Sequence, residues 1–312
     1  MSDFSIFAGN SNPALAERIS QYLSKPLGKL KLNRFSDGEI QVEIDENVRR
    51  QEIYLIQSTC HPVNDNLVEL LLLIDAFKRS SASMINAVIP YFGYSRQDKK
   101  VSPRVPISAK LVADLLENTG VHRVITMDLH AGQIQGFFNC PVDNVYAAPI
   151  FIEDIQTRYT DNVVVVSPDA GGVERTRAYA KRLNARIAII DKRRSAPNQS
   201  KAMAIIGDVE NKTAIILDDM VDTAGTLTEA VNVIMEKGAK AVHAYCTHPV
   251  LSGPAIDRIN KSSLSSLFVT DTIPLSQNAV DCDKIEALSV SEFIGEAIER
   301  SYKGDSVNHL FV

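Results

Sequence analysis

Apolar positions gather in short runs that alternate with stretches of helical spacing. The runs expected to be strands are Ser5–Gly9, Glu52–Ser58, Ser83–Pro90 and Arg123–Leu129 in the first half. In the second half they are Asn162–Ser167, Arg186–Ile190, Thr213–Leu217 and Ala241–Thr247. Most pass nearly uninterrupted through Val, Ile and Leu, as strands covered on both faces do. Between them, Leu227, Ala230, Val231 and Ile234 form an i, i+3, i+4, i+7 stripe, and Gly238 supplies a C-terminal stop. Strands alternating with helices predict an α/β architecture, a mostly parallel sheet flanked by helices.

The two halves echo each other. "LLENTGVHRVITMDLH" ends at His130 and "IMEKGAKAVHAYCTH" ends at His248, with Gly120 and Gly238, and Val124 and Val242, at matching offsets. A duplicated domain explains this, although any helix-glycine-strand unit repeats in the same way. Two similar domains are therefore expected, 1–148 and 149–297, with the boundary near Ala147–Pro149 and a tail from about 298 to 312 returning to the first. A length of 312 residues suits two domains, and 45% hydrophobic residues suit two real cores.

Charge narrows the partners. Basic and acidic residues number 33 and 38, net −5, which argues against bulk nucleic-acid binding and leaves room for small anions in a local pocket. The start "MSDFSIFAGN" lacks a basic n-region and a long apolar run, so no signal peptide is expected. "LVELLLLIDAF" is interrupted by Glu69 and Asp75 and is too short to span a membrane. Cys60, Cys140, Cys246 and Cys282 have no CxxC spacing and are expected to be free thiols in a reducing cytoplasm.

The densest chemistry lies in "IILDDMVDTAGT", Ile215–Thr226. A strand that ends in a turn of small residues before a helix aims backbone N–H groups, and the positive end of the helix, at one point. Asp222, Thr223, Ala224, Gly225 and Thr226 therefore make a phosphate cradle, distinct from a Walker loop because Gly-Lys-Thr is absent. Asp218 and Asp219 sit at the strand's carboxyl end, where open α/β sheets bind ligands. Carboxylates there accept hydrogen bonds from vicinal hydroxyls or hold a divalent cation. Hydroxyl acceptors beside a phosphate cradle match a ribose 5-phosphate; a helix cap with solvated acids is the plainer alternative.

"ILDDMVDTAGT" resembles the phosphoribosyl-pyrophosphate signature shared by phosphoribosyltransferases and ribose-phosphate pyrophosphokinases. The motif alone does not separate maker from user. "FSDGE" (Phe35–Glu39), "YSRQDKK" (Tyr94–Lys100), "TMDLHAGQIQGFF" (Thr126–Phe138), "VVSPDAGGVERTR" (Val165–Arg177) and "IIDKRRSAPN" (Ile189–Asn198) all resemble ribose-phosphate pyrophosphokinase, in the same order and along essentially the whole chain. The resemblance implies that the chain makes phosphoribosyl pyrophosphate and AMP from ATP and ribose 5-phosphate. It implies Lys192 and Arg194 as catalytic cations on a loop that closes over ATP, where the bare pattern would pass for a solvated basic cluster.

By the same resemblance, His130 and Asp169 belong to the Mg2+ site, with His130 also on the ATP side. Phe35, Asp37, Glu39, Arg96 and Gln97 bind ATP, the first three reaching a neighbouring subunit's site in a homo-oligomer, a hexamer. ATP is expected between this domain and a neighbour. Arg49, Arg104 and Ser306 match regulatory positions, and "KKVSPRVP" (Lys99–Pro106) lacks an apolar stripe; inorganic phosphate is the implied activator and ADP the implied inhibitor. The chain departs from the family in Ser195-Ala196-Pro197, where relatives often show Pro-Arg-Pro, and in Asn308, where some have Ser. A phosphoribosyltransferase would lack "SRQD" and "DKRR", a non-catalytic relative would have lost the loop or the aspartates, and a nicotinamide-dependent enzyme would show GxGxxG after a strand.

Removing a cation from phosphoryl-transfer chemistry commonly costs on the order of a hundredfold in rate. Lys192→Ala is expected to lower turnover by that much and leave ATP affinity nearly unchanged. Steady-state kinetics beside an ATP titration checks it; near-wild-type turnover contradicts it.

Overall fold

The computed structural model describes residues 4–160, 162–193 and 202–306. The chain divides into two compact units, one of residues 1–146, 272–274 and 289–312, the other of residues 147–271 and 275–288.

In the first unit the chain runs β1 (Phe4–Ala8), α1 (Pro13–Leu23), β2 (Leu30–Arg34), β3 (Ile40–Ile44), β4 (Glu52–Ile56), α2 (Val63–Arg79), β5 (Met84–Ile89), α3 (Ser108–Thr119), β6 (Arg123–Met127) and β7 (Val142–Val145), with a 3-10 turn at Gly132–Phe137. The sheet order is β1-β4-β5-β6-β7, every pair parallel. The apolar runs are buried on both faces, as Ile53–Ile56 and Ile85–Ile89 are. α2 covers one side with Leu67, Leu70, Leu73, Ile74 and Phe77, a helical stripe that removes its apolar face from water. β2 and β3 leave the sheet as a separate antiparallel ribbon.

The second unit runs α4 (Ala148–Arg158), β8 (Val163–Ser167), α5 (Val173–Leu183), β9 (Arg186–Arg193), β10 (Ala202–Ile206), β11 (Thr213–Val221), α6 (Gly225–Glu236), β12 (Ala241–Pro249), α7 (Ala255–Lys261), β13 (Ser266–Thr270), α8 (Gln277–Val280) and β14 (Ile285–Leu288). Its sheet has the order β10-β9-β8-β11-β12-β13-β14, parallel except for the β10–β9 pair. From β8 the chain moves outward one way to β9, and from β11 it moves the other way to β12. Between β8 and β11 lies the topological switch point, whose carboxyl edge is where such sheets hold ligands.

The last helix, α9 (Ser291–Lys303), returns to the first unit and packs on α1. The return begins at Ser289, upstream of the tail expected from about 298. Gly295 makes the approach possible: a Cβ there would lie 2.4 Å from the Tyr22 ring. The Tyr302 ring lies 4.7 Å from that of Phe4 of β1, tilted by 50°.

The α/β reading of two similar sheet-and-helix domains is what the chain folds into. All eight expected strands form, with ends shifted by a few residues. The repeated units align as α3–β6 and α6–β12, each helix followed by a glycine with positive φ, 124° at Gly120 and 82° at Gly238. The echo stops at the histidines: His130 is exposed, whereas His248 on β12 is buried. Asp191, Lys192 and Arg193, read as loop, lie on β9, because the unforeseen β10 gives them an antiparallel partner with Met203 opposite Lys192. Arg194, Ser195, Ala196, Pro197 and Asn308 lie outside the described residues.

Candidate active site

The second unit gathers most of the expected ligand chemistry on the carboxyl edge of β8 and β11. β11 is anchored by the buried run Ala214–Leu217 and carries Asp218 and Asp219 as its core contacts end. Because successive strand residues face opposite ways, the two acids diverge in exposure. The Asp219 side chain is 8% exposed and that of Asp218 33%, so Asp218 is the one open to a ligand. The Asp219 N–H donates to Asp218 Oδ1 at 2.9 Å. Arg175, on the first turn of α5, reaches Asp219 at 3.2 Å and Asp218 at 3.9 Å.

Burial, with the Asp219 carboxylate beside it, pushes the Asp218 carboxyl up, to about 7; Arg175 pulls the other way and Asp169 adds to the rise. Asp169 heads the turn after β8, where its Oδ1 accepts from the N–H groups of Gly171 and Gly172 at 2.9 and 3.0 Å and so braces the turn ahead of α5. Cys246, level with Asp218 on the neighbouring strand, is fully buried, and burial holds its thiol protonated.

Past β11 the chain turns through Asp222 and Thr223 into α6. Its N-cap is Ala224, in the left-handed region at φ 57°, with no side-chain cap. An alanine offers no side-chain oxygen to the first-turn N–H groups of α6, which leaves them to water or to an external anion. Thr223 and Thr226 are exposed beside them. The loop after β12 braces this turn: Ser252 N–H donates to the Asp222 carbonyl at 3.0 Å, Ser252 Oγ bonds the Asp222 carboxylate, and Arg258 of α7 donates to the Thr223 carbonyl at 2.9 Å.

Lys192 is on the same edge by backbone register. Ser167, the last residue of β8, pairs with Ile189 of β9, so Lys192 lies three residues beyond that level.

The remaining candidates belong to the first unit. Phe35, Asp37 and Glu39 form the exposed tip of the β2–β3 ribbon; Gly38 turns the chain at φ 99° and Phe35 is 52% exposed. Arg96 and Gln97 are exposed ahead of α3, with the Gln97 side-chain oxygen held by Ser108 at 2.5 Å. His130 is exposed after β6. Arg49, Arg104 and Ser306 are also exposed; Arg49 donates to Ser81 Oγ at 3.3 Å, and the Ser306 carbonyl accepts from Arg300. His130 and Asp169, paired by resemblance, thus sit in different units.

Magnesium takes oxygen ligands and keeps several waters. No three His, Cys, Asp or Glu converge as a metal cage among the described residues. The carboxylates of Asp169 and Asp218, under mutual repulsion, do fit a partly hydrated hard cation that arrives with a phosphate ligand.

Comparison with known proteins adds the family. The model of the N-terminal domain of ribose phosphate pyrophosphokinase matches residues 4–120, and that of the phosphoribosyl synthetase-associated domain matches residues 191–312. A ribose-phosphate pyrophosphokinase of Burkholderia pseudomallei is 58% identical over 98% of this chain and 96% of its own length. The chain belongs to the ribose-phosphate pyrophosphokinase family. One from Marinomonas is 54% identical over all of this chain and 99% of its own. The crystal structure of a phosphoribosylpyrophosphate synthetase from Mycobacterium smegmatis superposes with a TM-score of 0.93 at 39% identity, covering 97% of this chain and all of that one.

Within this pyrophosphokinase fold, sequence reasoning passed over Arg175, Ser252 and Arg258. Arg175 lies inside the quoted "VERTR", but nothing in a polar amphipathic helix marks which arginine turns inward.

Hydroxyl donors bind an ionised carboxylate better than a protonated one. Burial and the Asp219 carboxylate move the ionisation of Asp218 up from the ordinary carboxylate range towards neutral pH, so affinity for ribose 5-phosphate should fall as pH drops from 8 to 6. Asp218→Asn should leave only the slope from the ligand's own phosphate, which titrates near pH ~6. Calorimetric titration across this range checks it; identical pH profiles for the two proteins contradict it.

Proposed function

We propose that this chain transfers the diphosphoryl group of ATP to the C1 hydroxyl of ribose 5-phosphate, giving 5-phosphoribosyl 1-pyrophosphate and AMP. The observation that carries this reading is the uncapped start of α6 beside the carboxylates ending β11, at one switch point. The N–H groups of the Asp222–Thr226 turn, with the Thr223 and Thr226 hydroxyls, hold the 5-phosphate. Asp218 accepts from the ring hydroxyls, and Asp219, paired with Arg175, keeps Asp218 oriented.

Such a transfer is governed by alignment and by cations over the spreading charge of the phosphates. The C1 oxygen attacks the β-phosphorus and AMP departs. Lys192 and Arg194 supply positive charge along the transferred group, and exclusion of water there favours the sugar over hydrolysis. Asp169 and Asp218, with His130, would hold Mg2+, which when bound offsets phosphate charge. Phe35 stacks on adenine while Asp37 and Glu39 accept from its amino group, and Arg96 and Gln97 reach the phosphates. The exposed ribbon tip suits service to a neighbouring copy in a hexamer. Arg49, Arg104 and Ser306 belong to a site where phosphate activates and ADP inhibits. The product feeds nucleotide and amino-acid synthesis in the cytoplasm. No described helix is long and apolar enough to cross a membrane.

Protein, ATP, ribose 5-phosphate, magnesium and phosphate are expected to yield AMP, one per sugar consumed. Chromatography of the nucleotides decides it: ADP instead of AMP would mean γ-phosphoryl transfer, and the proposal would fail.

A further inference from the structure

The phosphate cradle is built on a strained residue. Ala224 has φ 57° and ψ 7°, a left-handed conformation that residues with a Cβ adopt only at a cost. Its methyl is buried in the core of the unit, but alanine has no polar side chain to bond the local backbone as Asn or Asp would. The compensation comes from another element. Arg258 of α7 donates from Nη1 to the carbonyl of Thr223, the residue immediately before Ala224, at 2.9 Å. The same nitrogen lies 3.2 Å from where a Cβ on Gly225 would stand, so the guanidinium rests against the cradle's own backbone.

This contact has a directional consequence. A peptide unit is planar and trans, so its C=O and N–H point opposite ways. Arg258 holds the Thr223 carbonyl on its own side, and the Ala224 N–H is thereby turned to the far side of the loop. The helix α6 begins from that peptide, and the main-chain donors of its first turn follow its orientation. Arg258 also brings a permanent positive charge to within a residue of them.

We infer that Arg258 is a positioning residue for the phosphate cradle: its clamp on the Thr223 carbonyl keeps Ala224 left-handed and the turn's N–H groups preset for the 5-phosphate of the sugar. The inference rests on the ribose 5-phosphate reading of this turn and deepens it. It assigns to α7, outside the signature stretch, part of the affinity for phosphate monoester.

The test is a double-mutant cycle on the full chain, read as the dissociation constant for ribose 5-phosphate, with ATP affinity and thermal midpoint as controls. Losing one charge-assisted hydrogen bond costs roughly tenfold in affinity. Arg258→Ala should weaken ribose 5-phosphate by about that factor, leave ATP affinity unchanged and lower the midpoint by no more than about 4 °C. Glycine adopts the left-handed region freely. In an Ala224→Gly background the clamp has less to do, so adding Arg258→Ala there should cost no more than about threefold. Equal losses in both backgrounds, or wild-type affinity in Arg258→Ala, would overturn the inference. A wild-type chain that does not bind ribose 5-phosphate would sink the reading of the site itself, and this inference with it.

Discussion

Three carboxylates at the carboxyl edge of one sheet govern the candidate site. Burial, Asp219 and Asp169 raise the proton affinity of Asp218, and Arg175 beside Asp218 and Asp219 opposes that rise. Such an arrangement costs stability, and it persists because the surrounding core over-determines it. Val164 and Val166 on β8, Ala214 and Ile216 on β11 and Ala244 on β12 are essentially inaccessible and pin the strands in register.

Topology makes the second half of the site. Because the chain leaves β8 and β11 in opposite directions, the turns after them open side by side. In one turn Asp169 accepts from the N–H groups of Gly171 and Gly172 ahead of α5; in the other Ala224 begins α6 with no side-chain cap. A helix start without a side-chain cap keeps its first-turn donors available to water or a ligand. The carboxylates and the uncapped helix start are thus neighbouring features of one unit, while the ribbon tip at Phe35–Glu39 and the segment at Arg96–Gln97 belong to the other.

Much of this was legible in the sequence, for physical reasons. The Leu227–Ile234 stripe has the helical period, and the four residues are buried where that period puts them. The strand-to-helix turn was legible because three acids and two threonines crowd into nine residues, a density that few structural roles explain. What stayed hidden depends on distance along the chain. Arg258 reaches Thr223 from a seven-residue helix, and Arg175 reaches Asp219 across 44 positions. β9 outran its predicted end because pairing with β10, not local propensity, decided the conformation of Asp191–Arg193. The β2–β3 ribbon alternates half-exposed and exposed residues with little buried apolar surface, so its tip stood out by family resemblance and not by pattern.

The central claim is that one turn grips a phosphate while an adjacent carboxylate grips ring hydroxyls. Calorimetric titration of the full chain with ribose 5-phosphate, 2-deoxyribose 5-phosphate and ribose separates the two grips. The account predicts measurable binding of the first, weakening by roughly tenfold for the second through loss of one hydrogen bond to a charged group, and no detectable binding of the third. Ribose binding as tightly as its 5-phosphate would contradict it.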